Sequence, residues 1–207
     1  MLINAIRGHC AEFGLIAAQG VRNVSELMKR VRLADQAVLP EMAKNAMVLL
    51  AEQLETLDMQ IQRLNRRLLV WHRQDQASQR LATIPGIGVI SATALAASVT
   101  DPAQFRSGRE FSASLGLVPR QNSSGGKDRL GRISKMGDRY LRKLLVVGAT
   151  SVVRRARTAD SAASNWVRGL LERKPTRLVT VAMANKTARI VWAVLARGEV
   201  YQAKALA

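Results

Sequence analysis

From Ala43 to Trp71 the apolar positions are 43, 47, 50, 54, 57, 61, 64, 68 and 71, in alternating steps of four and three with no Gly or Pro between them. That period sets Leu50, Leu54, Leu57, Ile61, Leu64 and Leu68 on one stripe of a long helix. It is the a/d pattern of a coiled coil or of a long antiparallel helix pair. A helix packing on its own domain satisfies the same spacing. A stripe this long makes pairing between chains at least as good an outcome.

The remainder also reads as helix. Residues 1–20 form a short helix ending near Gly14 or Gly20. Residues 24–34 form another, with Ser25 as a possible N-cap and Pro40 beyond its end. Only Arg177–Ala184, rich in Val and Leu, has the composition of a strand, and its neighbours look helical. The expected fold class is therefore mainly α, a long coiled-coil helix followed by a helical domain. Residues 1–79 make up the helical linker and coiled coil, and residues 80–207 the second domain.

Composition narrows the function. Hydrophobic residues are 48% of the 207, enough for a sizeable core. Cys10 is the single cysteine and His9 and His72 the two histidines, which excludes a disulfide framework and leaves no metal site to expect in this chain. No apolar run approaches the roughly 18 residues of a membrane span. MLINAIRGHC lacks the apolar core of a signal peptide. The expectation is a cytoplasmic protein without a membrane partner.

The net charge is +17, and it is uneven: residues 1–79 carry 10 Lys/Arg against 8 Asp/Glu, whereas residues 80–207 carry 22 against 7. Between Arg120 and Arg157 there are 11 basic residues and only Asp128 and Asp138. A solvated basic surface would account for some of this. At this density a nucleic-acid partner accounts for it better.

Three motifs lie in the basic half. In residues 81–98, Pro85-Gly86-Ile87-Gly88 between apolar stretches has the pattern of a helix-hairpin-helix. Its glycines would allow a tight turn, and backbone N–H groups at a helix start would hold a DNA phosphate. An ordinary helical turn has the same outline. Residues 119–137 form a loop with four glycines, five basic residues and three serines. Gly125-Gly126-Lys127 lacks the spacing of an ATP-binding loop. A serine among Arg120, Lys127, Arg129, Arg132 and Lys135 can attack a phosphodiester, because the cations stabilise the pentacovalent transition state. A mobile basic loop is the plain alternative. From Gly137 onward, Asp138 reads as an N-cap and Leu141, Leu144, Leu145 and Gly148 as the packed face of a helix. Arg139, Arg142 and Lys143 then lie on its other side.

The ordered series Ile84-Pro-Gly-Ile-Gly88, Phe105-Arg-Ser-Gly-Arg-Glu-Phe111, Leu115-Gly-Leu-Val-Pro-Arg-Gln121, Ser123-Ser-Gly-Gly-Lys127 and Gly131–Arg142 resembles insertion-sequence transposases of family 110, subgroup 1111. Trp166, Arg173-Lys-Pro175, Ala184-Asn-Lys-Thr-Ala-Arg189 and Trp192 continue the match. The resemblance implies a DNA recombinase guided by a structured RNA. It also implies an N-terminal RuvC-like domain with four acidic ligands for Mg2+, a coiled coil, and a C-terminal transposase domain with a catalytic serine. The coiled coil corresponds to 43–71 and the transposase domain to 80–207. The acidic quartet has no counterpart here, so Mg2+ is expected only in the RuvC-like domain and this chain is expected to be the C-terminal part.

On that resemblance Ser123, ahead of Ser124, is the expected nucleophile. Ser134 looks like a turn or capping residue. Gly86, Gly88, Arg120, Gly125, Gly126, Lys127, Arg129, Arg132, Lys135, Arg139, Arg142 and Lys143 are the expected nucleic-acid contacts. Two readings remain open. One is the serine-bearing half of a transposase that catalyses strand exchange. The other is a non-catalytic DNA- or RNA-binding module that dimerises through its coiled coil.

Overall fold

The computed structural model describes residues 2–122, 130–158 and 161–202. The described residues divide into two compact units, Met1–Arg67 and Leu68–Ala207.

In the first unit, α1 (Leu2–Glu12) buries Ile6 and Cys10, and α2 (Val21–Leu33) buries Val24, Leu27, Met28 and Val31. α2 starts earlier than its sequence suggests. Gly20 is its N-cap at φ 121°, so Ser25 lies inside the helix rather than capping it. The connecting loop is held by cations that satisfy carbonyls: Arg7 donates to Ala17 O at 2.9 Å and Arg30 to Ile16 O at 2.9 Å. α3 (Glu41–Gln74) is one unbroken helix of 34 residues. Its apolar stripe divides in two. Met47 and Ala51 are buried and Leu50 and Leu54 half-buried against the unit's core, while Leu57, Ile61 and Leu64 stand 48, 55 and 57% exposed.

The second unit is built around α9 (Thr176–Arg197). It packs against α4 (Gln76–Ala82), α6 (Gly108–Ser114), α7 (Arg139–Arg155), α8 (Ala162–Leu171) and a short turn at Pro102–Gln104. Its residues 177–184 are helix, not strand. Pro175 fixes the backbone just before the first turn. Val179, Met183, Ala184, Ala188, Val191 and Val194 bury its faces against those neighbours. Among the described residues α9 alone is long and apolar enough to cross a membrane by length and composition, a property the sequence reading missed. Its burial is that of a core helix.

α5 (Val89–Ser98) completes the helical set, adding Ala92 and Leu95 to a core with Leu81, Ile84, Phe111 and Leu145. The expected mainly α class is what the structure has. One departure is an antiparallel hairpin, β1 (Pro119–Gln121) and β2 (Leu130–Ile133), pairing Pro119 with Ile133 and Gln121 with Leu130. Its strands lie inside the segment read as loop.

Candidate nucleic-acid interface

The turn between α4 and α5 shows why its glycines stand where they do. Gly86 adopts φ +87°, and a Cβ there would lie 2.8 Å from Gly148 O on α7. A Cβ on Gly148 would lie 2.0 Å from Gly86 O. Two backbones therefore meet at a point only glycines allow. Gly86 is committed to packing. Gly88 is exposed with open space beside it and starts α5 without a side-chain cap, so the first amides of that helix are not satisfied by a capping side chain.

The base of the β1–β2 hairpin is tied to the helices on either side. Gly137, at φ +72°, leaves no room for a Cβ, which would fall 1.7 Å from Ser114 O. Arg142 Nη1 donates to Leu115 O at 2.9 Å and to Met136 O at 2.8 Å. Asp138 caps α7 as its sequence indicates, accepting from Tyr140 N at 2.7 Å and Leu141 N at 2.9 Å. Arg120 donates to Ser134 O at 3.1 Å across the stem. Arg142 and Arg120 thus support backbone before they meet any partner. Arg139 and Lys143 are exposed on α7.

Ser123, Ser124, Gly125, Gly126, Lys127 and Arg129 lie outside the described residues. The chain leaves the stem at Asn122 and returns to it at Leu130.

Beside the stem runs a groove of about 1250 Å³. Three parts of the unit bring six cations to it: Arg109 from α6, Arg132 and Lys135 from the hairpin strand and its exit, and Arg177, Lys186 and Arg189 from α9. No acidic residue lines it among the described residues. The floor is apolar, with Leu178, Val181, Ala182 and Ile190 of α9, and Trp166 and Trp192 also line the groove. Lys186 Nζ sits 4.2 Å from the centroid of the Trp166 ring. Burial first, and the neighbouring Arg189 second, push the Lys186 ammonium below the ordinary lysine pKa. An anion placed here would relieve both costs. Two neutral side chains at the groove already bond within the protein. Asn185 Nδ2 donates to Leu117 O at 3.2 Å, and Ser107 Oγ accepts from Glu110 N at 3.3 Å.

Of the expected contacts, the groove gathers Arg132 and Lys135. Gly86, Gly88, Arg120, Arg139, Arg142 and Lys143 do not line it. It adds Arg109, Arg177, Lys186 and Arg189, which sequence reasoning missed as contacts. The missed signal is a helical stripe: positions 178, 182, 185, 189 and 192 repeat in steps of four and three and all face the groove.

Among the described residues no three of His, Cys, Asp or Glu come together to hold a metal ion. These residues do not fit the divalent ion that the resemblance implies for its acidic domain.

A family model described as the transposase IS116/IS110/IS902 family matches residues 78–164. The chain is 48% identical over 202 residues to a Pseudomonas aeruginosa protein named Probable family 20 transposase, across 97% of this chain and 60% of that one. It is 37% identical to the transposase for insertion sequence element IS1111A of Coxiella burnetii, across 97% of this chain and 55% of the relative. It is also 37% identical to the transposase for IS1328 of Yersinia enterocolitica, across 96% of this chain and 58% of the relative. The chain thus spans somewhat over half the length of these curated relatives.

Proposed function

Residues 78–164 are a domain of the IS116/IS110/IS902 transposase family, and from that premise we propose that the chain grips DNA for an insertion-sequence transposase and carries its serine nucleophile. One observation supports the grip above the rest: six cations from three parts of one unit converge on a groove without an acidic neighbour. Opposed charge alone would hold a phosphate backbone there, and each contact would release condensed counterions.

In the proposed chemistry the Oγ of Ser123, or of Ser124 beside it, attacks a backbone phosphorus. An O–P bond forms to serine and the O–P bond to the leaving strand breaks. The serine proton goes to water or to a base brought by a partner, and the departing oxygen takes up a proton. Attack by a second strand's hydroxyl reverses the step and releases the serine. Lys127, Arg129, Arg132 and Lys135 would offset charge on the pentacovalent phosphorus. No step is routed through a metal ion. Gly88, Arg139 and Lys143 would hold phosphates farther along the duplex. A structured guide RNA belongs to the same proposal, supported by the cations that lie away from the groove. The bare stripe of Leu57, Ile61 and Leu64 supports self-association through α3.

The test uses the enzyme assembled with its acidic domain and a DNA bearing the element's end. Ser123→Ala and Ser124→Ala are introduced separately, and covalent protein–DNA adduct is read on a denaturing gel. Loss in Ser123→Ala alone is expected. Loss in Ser124→Ala alone moves the role by one residue, and adduct surviving in both variants removes this loop from the chemistry. Salt-dependent DNA binding and self-association, with no adduct from any form, would establish the second reading, a non-catalytic dimerising module.

A further inference from the structure

The groove beside the hairpin is poorly matched to a double helix. A duplex presents phosphates outward and hides its base faces. Here the lining carries cations, but it also holds an apolar floor, Leu178, Val181, Ala182 and Ile190, together with Trp166 and Trp192. Such a floor gains nothing from phosphate or sugar edges. It gains from the flat faces of unpaired bases, which stack on aromatic and apolar side chains while the backbone follows the cations.

We infer that this groove takes single-stranded DNA, with its bases against the α9 floor and Trp166 and its phosphates along Arg177, Lys186 and Arg189. The assignment rests on the nucleic-acid reading above and adds to it the strand state of the ligand and the residues that meet the bases. Three observations carry it beyond a generic basic patch. Lys186 lies over the Trp166 ring at 4.2 Å, so a cation and an aromatic face are adjacent. A base displacing the ammonium from that ring would leave it beside the base's own phosphate. Two neutral side chains at the groove are already turned toward the protein: Asn185 Nδ2 is directed at Leu117 O and Ser112 Oγ, and Ser107 Oγ accepts from Glu110 N. Base-edge readout by these groups is limited accordingly. The thymine methyl suits an apolar floor. A thymine-bearing deoxyribose strand is thus favoured over a uracil-bearing ribose one. Finally, the hairpin contributes Arg132 and Ile133 to the groove wall, next to the stem that carries the serine segment.

The experiment uses the purified chain with three fluorescein-labelled probes of roughly 12 nucleotides per strand, a length within the site sizes of single-strand binders: oligo(dT), a mixed-sequence duplex and oligo(U). Anisotropy gives affinities and tryptophan emission reports stacking. Oligo(dT) is expected to bind about tenfold tighter than the duplex and to quench tryptophan emission. Oligo(U) is expected to bind more weakly than oligo(dT). Trp166→Ala should weaken oligo(dT) binding about tenfold and leave duplex binding nearly unchanged. Trp166 also touches the core, so Leu178→Glu, at a residue 53% exposed, is the second variant. It should lose the single strand with circular dichroism intact. Equal or tighter duplex binding overturns the inference, as does oligo(dT) affinity unmoved by Leu178→Glu. Oligo(U) equal to oligo(dT) overturns the assignment to DNA. Salt-sensitive duplex binding without single-strand binding defeats this groove alone. Binding to no probe defeats the nucleic-acid reading itself.

Discussion

α3 and α9 are the two long helices of this chain, and they solve opposite problems. α3 carries a regular apolar stripe, yet its own unit covers only the stretch near Met47 and Ala51. α9 is apolar on several faces and has neighbours on each of them: α6, α7, α8 and α4. One side remains open, and there the cations and tryptophans collect. The contrast teaches that a strict stripe declares a face but not its partner. An all-round apolar helix declares that partners exist within its own fold.

The sharpest way to break this comparison is Val191→Asp on α9. The side chain is fully buried, and an unpaired carboxylate there should cost more than about 4 kcal/mol and abolish the folded second unit. Urea denaturation followed by circular dichroism checks it; an unchanged midpoint would mean that α9 does not organise the core. A smaller effect is expected on α3. Leu57→Glu with Ile61→Glu should leave the stability of the single chain within about 0.5 kcal/mol, since both residues are exposed. Light scattering should instead show a parent dimer or larger species falling to monomer. A parent that is monomeric at every concentration would remove the pairing.

The smallest effect sharpens the open side of α9. Lys186 has a folded pKa below its ordinary value, so the fold disfavours its charge. That penalty is present at neutral pH and is relieved as pH rises through the folded pKa toward the ordinary lysine value. Lys186→Gln should therefore leave the neutral-pH midpoint unchanged or slightly higher, and parent and variant should converge in alkaline solution. DNA binding should weaken, with the salt slope reduced by about 1. A clear loss of stability at neutral pH would show that the Trp166 contact outweighs burial.

α3 and α7 were legible because each carries a local signal. Asp138 before Arg139 declared a cap, and the 4-3 stripe declared α3. The hairpin was not legible. Its strands are three and four residues long, β1 opens on Pro119, and β2 contains Gly131, so no alternation could develop. Pairing comes from outside those strands, through the lock of Gly137 on Ser114 and of Arg142 on Leu115 and Met136. The groove was half legible. Arg132 and Lys135 stood out in a dense basic run. Arg109 is separated from Arg189 by a long stretch of chain, and only the fold brings α6 against α9; a Cβ on Gly108 would touch Arg189 O at 3.0 Å. The strand composition of 177–184 misled because Val and Leu report burial as readily as pleating.

The lock at the foot of the hairpin also bears on how such a chain can diverge. Because Gln121 and Leu130 are paired above anchored backbone, the number of residues between them is decoupled from the packing below. Lengthening that segment adds little closure entropy, about 0.6 kcal/mol for each doubling. Insertions and deletions there would be nearly invisible to the rest of the domain. Descendants of one fold could thus vary the length of that segment while α6 and α7 stay under selection for packing alone.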